Sequence, residues 1–392
     1  MRKFIWMICL AYLLTGFGHI IIGSVLEQMI THYHLDYSDG GQLIMNQFLG
    51  FLVGVLFAPK LIRTLGRRKT LILSLFLFAF SQLALGLLIP WTALLAIAPL
   101  GGAGIGLIET TIAGLIVGKL KEKKASIMVL TESLFGIGAL TVPILAAIFI
   151  AVGQWNELFI VISIIVSITL ILWVFIRFDE YEYLLIKEKK TDTNIQVQKY
   201  PKHTYGMVLL GSFFFFLYVG LEMTFPNYLP SILSITTDLS ASVLALSITI
   251  FWGAMTISRF IMIFVIDKVG FHRLFVITCF GQTLTLGLFA MSSTYIISLF
   301  AIFLTGIMMG GIFSLGLLVV NDGIPGLEDR TTSLMLALGG LGGALLPRLI
   351  GGIMDHYPIQ VTLYTLFTFS IILFILMVLI TSFRKKLITT NL

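Results

Sequence analysis

Glu109 is an acid inside a long apolar stretch, GIGLIETTIAGLIVG, and a carboxyl in that position suits proton transfer. An ionisable side chain within hydrocarbon costs about 2.5 to 3.5 kcal/mol, so it is expected to face a cavity or a partner instead of lipid. A carboxyl withdrawn from water favours its neutral form and can therefore load and release protons. We predict that Glu109 exchanges a proton. The alternative is a structural acid paired with Thr110 or with a basic group on another helix.

Other polar side chains in apolar stretches suit the binding of a ligand rich in hydroxyl groups. His19 can accept a hydrogen bond from a hydroxyl or share a proton with an acid; otherwise it is an ordinary buried histidine. The carboxylates of Glu132 and Glu222 can each accept several hydroxyl groups, or neutralise a nearby arginine. The remaining candidates for this binding site are Asn46, Gln47, Tyr218, Asn227 and Trp252. Each of these five has an ordinary alternative, namely an interhelical hydrogen bond or core packing.

The composition places these residues in a membrane. Hydrophobic residues make up 58% of the 392 and charged residues 11%, against roughly a quarter charged in soluble domains. About 20 apolar residues cross a bilayer as a helix. Twelve runs of this kind are predicted: 4–30, 41–62, 70–90, 92–118, 125–151, 156–176, 205–231, 239–266, 272–291, 294–320, 331–354 and 359–382.

The net charge of +6 follows the predicted topology and does not indicate a nucleic-acid partner. Of the 25 lysines and arginines, all but Arg259 and Arg348 lie at the termini, in the connections after even-numbered runs or within three residues of those connections. The connections after odd-numbered runs contain none. The positive-inside rule therefore predicts a multi-pass protein with both termini in the cytoplasm. The sequence assigns no role to Arg348.

An internal repeat is predicted because an offset of 204 residues aligns special positions in the two halves. It places Gly16 on Gly220, Gly66 on Gly270 and Gly106 on Gly310, and it superimposes FGIGALTVP (135–143) on GGLGGALLP (339–347). An offset of six spans leaves both halves in the same orientation, as in parallel-repeat transporters. The predicted domains are a six-helix bundle over 1–177, a cytoplasmic linker over 178–204 and a second bundle over 205–392.

These motifs resemble the major facilitator superfamily. The stretch DKVGFHR, with Asp267 and Gly270, matches the core of its cytoplasmic loop signature, whereas RTLGRRK in the first half carries Arg63 where the acid belongs. The stretches IETT, ESLFGIGAL, FLYVGLE and SRF resemble the fucose/proton symporter group, especially its glucose/mannose branch. The resemblance implies an all-α membrane fold of twelve helices in two bundles. It also implies proton coupling at Glu109, although the helix 1 acid of the fucose symporter has no counterpart here.

Five residues are candidates for gating. Pro226 and Pro230 are predicted to interrupt the outer part of the seventh run, either as a hinge or as a static kink. Arg259 and Asp267 are predicted to hold an inner gate shut by pairing across the halves, near the turn at Gly270.

The sequence therefore predicts a proton-coupled carrier that takes up a small polar solute, such as a hexose, by alternating access. No enzyme constellation, ATP-binding motif, cofactor motif or metal-ligand spacing is found. We expect a monomer in the bacterial cell membrane. The alternatives are an efflux carrier for drugs or amphiphilic metabolites, and a receptor that no longer transports. The sequence does not name the solute or the number of protons.

Overall fold

The computed structural model describes residues 2–119, 124–186, 200–292 and 294–390. Within these ranges the side chains of a few residues are excepted, namely those of 2, 117–119, 124–126, 128, 129, 132, 179, 180, 263, 329, 386 and 388–390. The predicted linker therefore falls partly outside the described residues, and its boundaries stay a prediction.

The described part of the chain is helical. Its α-helices are α1 (Arg2–Ser24), α2 (Leu26–Tyr33), α3 (Tyr37–Leu65), α4 (Arg67–Gly86), α5 (Trp91–Lys119), α6 (Lys124–Ala151), α7 (Glu157–Phe175), α8 (Tyr205–Thr236), α9 (Ala241–Val269), α10 (Phe271–Ala290), α11 (Tyr295–Met309), α12 (Ile312–Asp322), α13 (Glu328–His356) and α14 (Ile359–Thr390). Two short 3₁₀ helices cover Asp179–Leu184 and Lys202–Thr204.

Twelve spans in the described residues are long and apolar enough to cross a membrane, which confirms the predicted number. Two predicted runs are not single helices. The first run, 4–30, divides at Val25, where α1 ends and the short helix α2 begins. The tenth run, 294–320, divides at Gly310 and Gly311 into α11 and α12. Hydropathy measures only how apolar a stretch is, so it does not detect a change of helix axis inside an apolar run.

The chain separates into two compact units. The first comprises Met1–Thr193 and Leu239–Thr249, and the second comprises Asn194–Asp238 and Ile250–Leu392. In the first unit α3 packs along α5, α1 packs along α6, and α4 packs on α5 and α7. In the second unit α8 packs along α13, and α10 packs on α11 and α14.

The predicted offset of 204 residues recurs in the bounds of the helices. Helix α9 begins and ends 204 residues after α3, and α10 does the same relative to α4. The turns between them also match, because Gly66 has a φ of 83° and Gly270 has a φ of 86°. A β-carbon disfavours this left-handed region, which explains why glycine occupies both turns.

Glycines also bring equivalent helices into contact. A β-carbon at Gly102 would overlap the carbonyl oxygen of Gln47, and one at Gly106 would overlap that of Phe51. In the second unit Gly306 approaches the carbonyl of Phe251 and Gly310 approaches that of Met255, each 204 residues later. Small residues allow membrane helices to pack backbone to backbone. These glycine seams fix the position of α5 on α3 and of α11 on α9.

Candidate functional site

Glu109 and His19 are in hydrogen-bonding contact within the first unit. The distance from His19 Nε2 to Glu109 Oε1 is 3.1 Å, and the side chains are 8% and 21% exposed respectively. Helix α1 supplies the histidine and α5 supplies the acid. The glycine seam that fixes α5 on α3 therefore also determines where the carboxylate lies. The sequence left open a pairing of Glu109 with a basic group on another helix, and His19 on α1 is such a group, so proton exchange at Glu109 stays a prediction.

Three phenylalanines surround the imidazole of His19. Its ring centroid lies 5.5 Å from that of Phe48, 5.3 Å from Phe51 and 5.6 Å from Phe135. The Nδ1 atom is buried and has no hydrogen-bond partner among the described residues. An apolar shell strengthens the electrostatic interaction of the pair, since the local dielectric is low. The sequence analysis missed these phenylalanines, although Phe48 and Phe51 are three residues apart and so share a helix face.

Two predicted ligands on α3 are engaged in helix packing through their nitrogen atoms. Gln47 Nε2 donates to the carbonyl of Gly18 at 2.7 Å, directly beside His19. Asn46 Nδ2 donates to the carbonyl of Leu95 at 2.9 Å. Each amide nitrogen has a second N–H, so a ligand can be bound by that N–H or by the side-chain oxygen. The side chain of Glu132 on α6 lies outside the described residues, and its predicted role stays a prediction.

A second charged cluster lies within the second unit. Arg259 Nη2 on α9 lies 3.8 Å from Glu222 Oε1 on α8, and the side chains are 35% and 7% exposed. Tyr218, one turn before Glu222, is buried and places its hydroxyl 3.2 Å from the same carboxylate oxygen. Arg259 also approaches the sulfur of Met255 at 3.6 Å. The sequence left open that Glu222 neutralises a nearby arginine, and Arg259, a gating candidate, is the arginine beside it.

We expect the Glu222 and Arg259 charges to stabilise each other by about 1 kcal/mol, since the pair is close but the arginine is partly exposed. A double-mutant cycle with Glu222→Gln, Arg259→Gln and the double variant measures this coupling. Thermal unfolding of the purified protein in detergent gives the three changes in stability. The double variant should lose less stability than the two single losses added together. Fully additive losses would show that the two charges do not interact.

The other predicted ligands of the second unit are buried. Asn227 Nδ2 donates to the carbonyl of Met223 at 2.6 Å, and its Oδ1 has no partner among the described residues. Trp252 is 1% exposed, and its ring lies edge-to-face against Phe251 with centroids 5.7 Å apart. The stacking of Trp252 on a sugar ring would need an opening that this conformation does not provide.

The gating candidates occupy varied positions. The helical conformation of α8 continues through Pro226 and Pro230, and the hinge or static kink predicted there stays a prediction. Asp267 is exposed near the end of α9, and Gly270 forms the turn to α10. Their gating roles stay predictions. The break in a span occurs instead at Gly310 and Gly311, where the sequence signal was a glycine pair that resembles many others in the chain.

The two charged clusters differ in what they can do chemically. Arginine stays protonated at all physiological pH values, so the Glu222–Arg259 cluster can change its charge only through the acid. The His19–Glu109 pair instead combines an imidazole with a carboxyl, the two kinds of side chain that most often transfer protons in proteins. The first unit therefore contains the better candidate for a proton site.

Comparisons with known proteins agree with the helical architecture. The sequence model of the Major Facilitator Superfamily matches this chain in two overlapping ranges, residues 8–325 and 210–390. The chain is 30% identical over 369 residues to the glucose/mannose transporter GlcP of Bacillus subtilis, which covers 91% of this chain and 90% of that protein. It is 23% identical over 399 residues to the sodium-dependent glucose transporter 1 of Homo sapiens, covering 92% and 75% of the two chains.

Solved structures share the same fold at low sequence identity. A D-xylose-proton symporter superposes with a TM-score of 0.80 at 13% identity, covering 96% of this chain and 97% of that one. The nucleoside transporter NupG superposes with a TM-score of 0.77 at 11% identity, covering 95% and 99%.

Proposed function

The chain belongs to the Major Facilitator Superfamily, and from this premise we propose that it takes up a hexose together with a proton. The observation that supports the proton is the 3.1 Å contact between His19 and Glu109, two titratable groups in a largely apolar surrounding. The support for the sugar is the similarity to a glucose/mannose transporter over nearly the entire chain. Alternating access by the two units follows the mode of parallel-repeat carriers.

The proton changes the net charge of the His19–Glu109 pair. With a neutral imidazole and an ionised carboxylate the pair carries one negative charge, and His19 Nε2–H donates to Glu109. One added proton makes the pair neutral overall, whichever of the two residues binds it. Enclosing a net charge away from water is costly, whereas enclosing a neutral pair costs much less. The protonated carrier can therefore close around its solute more readily than the unprotonated one.

The Glu222–Arg259 cluster suits the sugar. Hydroxyl groups donate to carboxylate oxygens and accept from guanidinium N–H groups, and both kinds of group lie within 3.8 Å of each other here. Asn227 and Trp252 are the other proposed sugar contacts of the second unit, and Asn46, Gln47 and Glu132 are those proposed for the first unit. Tyr218 is buried behind Glu222 and is the least accessible of the predicted ligands.

Sodium is the alternative coupling ion, because one of the relatives is named a sodium-dependent glucose transporter. We favour the proton, since the acid on α5 is paired with a histidine, whose ring nitrogens bind protons, and sodium prefers oxygen ligands. Efflux of amphiphilic compounds remains an outcome of the test below.

Transport into proteoliposomes tests the proposal. Labelled glucose and mannose are supplied under an inward proton gradient, an inward sodium gradient or no gradient. We expect accumulation under the proton gradient alone, and its loss on addition of a protonophore. Accumulation driven only by the sodium gradient would overturn the proposal that the proton is the coupling ion. Absence of both uptake and counterflow across a hexose panel, together with extrusion of an amphiphilic dye, would overturn the substrate and the direction.

We further propose that both termini are cytoplasmic, that the membrane is a bacterial cell membrane and that the carrier is a monomer. The distribution of lysine and arginine supports the orientation. Fluorescent-protein fusions at each terminus test it, because the reporter becomes fluorescent only on the cytoplasmic side. Light scattering of the protein purified in detergent gives the oligomeric state.

A further inference from the structure

The break between α11 and α12 interrupts the main-chain hydrogen bonding, since no bond joins Gly311 N–H to Ile307 O. The helical ladder stops at the bond from Gly310 N–H to Gly306 O, of 3.1 Å, and resumes at the bond from Leu315 N–H to Gly311 O, of 2.9 Å. In an unbroken helix the carbonyls of Ile307 and Met309 would accept from residues 311 and 313. A carbonyl left unpaired in a membrane span is costly, so each needs another donor.

Two side-chain hydroxyls from neighbouring helices supply those donors. Ser258 Oγ on α9 donates to Ile307 O at 2.5 Å, and Tyr218 on α8 donates to Met309 O at 2.8 Å. Tyr218 is buried, and its ring stacks on Phe214, with planes 4° apart. The break is therefore satisfied from both sides by groups that are held firmly in place.

The internal repeat provides a natural comparison. The equivalent helix α5 runs unbroken through Gly106 and Leu107. Residues 204 positions before Tyr218 and Ser258 are Leu14 and Gly54, and neither carries a hydroxyl. Gly54 faces the carbonyl of Ala103, in the same place where Ser258 faces that of Ile307. The unit that has the two hydroxyls has the broken helix, and the unit that lacks them has the continuous one.

Tyr218 also links this break to the charged cluster. Its hydroxyl carries one proton, and two acceptors compete for that proton, Met309 O at 2.8 Å and Glu222 Oε1 at 3.2 Å. When Glu222 is satisfied by another donor, such as a sugar hydroxyl, the Tyr218 proton goes fully to Met309. When Glu222 lacks such a donor, the carboxylate draws the proton away and the carbonyl is held more weakly. The occupancy of Glu222 therefore changes the strength with which the break is held.

We propose that Tyr218 is a positioning residue that relays the occupancy of Glu222 to the joint between α11 and α12, and that Ser258 is the fixed support of that joint. The relay rests on the proposed sugar contact at Glu222, whereas the support of the joint does not. The joint then tightens when solute is bound and loosens when it is released.

Hydrogen exchange of the backbone over residues 307–314 tests the support of the joint in sugar-free protein. Tyr218→Phe and Ser258→Ala should each accelerate exchange there about tenfold, the size expected for loss of one hydrogen bond. Thr256→Val is the matched control, because the Thr256 hydroxyl donates to the main-chain carbonyl of Trp252 within its own helix, at 2.8 Å. Unchanged exchange in both hydroxyl variants would overturn the proposal regardless of what the protein transports.

Glucose at saturating concentration tests the relay. It should slow exchange over 307–314 in the wild type and in Ser258→Ala but not in Tyr218→Phe. Counterflow by Tyr218→Phe should show a kcat about tenfold lower with a KM within about twofold of the wild type. A glucose response that survives in Tyr218→Phe, or is absent from the wild type, would overturn the relay. A change confined to KM would make Tyr218 a direct sugar ligand instead.

Discussion

Replacing Glu109 with Gln is expected to abolish proton-driven accumulation of sugar while preserving exchange of sugar across the membrane. Glutamine has the shape of the protonated acid and stays neutral, so the His19 pair can no longer carry the negative charge that hinders closure around a solute when no proton is bound. The altered carrier can reorient whether or not a proton is available. For one proton per sugar, the wild type gains about tenfold in accumulation per pH unit, and the variant should gain none.

Two assays on the same proteoliposomes separate these effects. Counterflow at equal pH on both sides should proceed within a few-fold of the wild-type rate, whereas uptake against a concentration gradient should stop at equilibration. Glu157→Gln provides the control, because Glu157 is exposed at the start of α7 and away from His19. A Glu109→Gln carrier that still concentrates sugar under a pH gradient would show that the proton enters elsewhere.

Gly102→Ala is expected to destabilise the first unit by about 3 kcal/mol or more, the upper range for overpacking a core. The added methyl group would overlap the main-chain carbonyl of Gln47, and a backbone atom within a packed helix has little freedom to move away. Separation of α5 from α3 would also move Glu109 away from His19. The variant should therefore lose proton coupling as well as stability.

Gly114→Ala is the matched control on the same helix. Among the described residues, no atom beyond its own stretch of α5 lies within 4 Å of the position that its β-carbon would take, so its stability should change by less than about 1 kcal/mol. Thermal unfolding in detergent, followed by tryptophan fluorescence, compares the two variants. Equal midpoints for Gly102→Ala and Gly114→Ala would contradict the packing that we describe for the glycine seam.

The sequence predicted the number of spans and the repeat, because both depend on regular patterns. Twenty apolar residues indicate a span whatever their order, and repeated glycines such as Gly66 and Gly270 mark turns that only glycine forms readily. The sequence also singled out Glu109 and His19 separately. It could not establish their contact, since 90 residues separate them and only the packing of α5 against α1 brings them together.

Two features of the second unit could not be predicted from the sequence, because they also depend on contacts between residues that are distant along the chain. Arg259 was expected near the inner gate with Asp267, but its long side chain reaches the acid of a neighbouring helix, Glu222. The break in the tenth span is marked only by Gly310 and Gly311, and the similar pair Gly101 and Gly102 remains helical. The hydroxyl groups that donate to carbonyls at the break lie on other helices, so no local sequence pattern indicates them.

The glycine seam of the first unit sets the rotation of α5 about its axis, and this rotation directs Glu109 toward His19 in the proposed proton site. Gly106 seats one turn of α5 on α3, and Glu109 follows three residues later on the same rigid helix. Each residue advances a helix by about 100°, so a single residue inserted between them would swing the carboxylate out of reach of the imidazole. An insertion beyond Gly114 would leave that angle untouched. Uncharged glycine contacts between α5 and α3 therefore determine the direction in which the Glu109 carboxylate points.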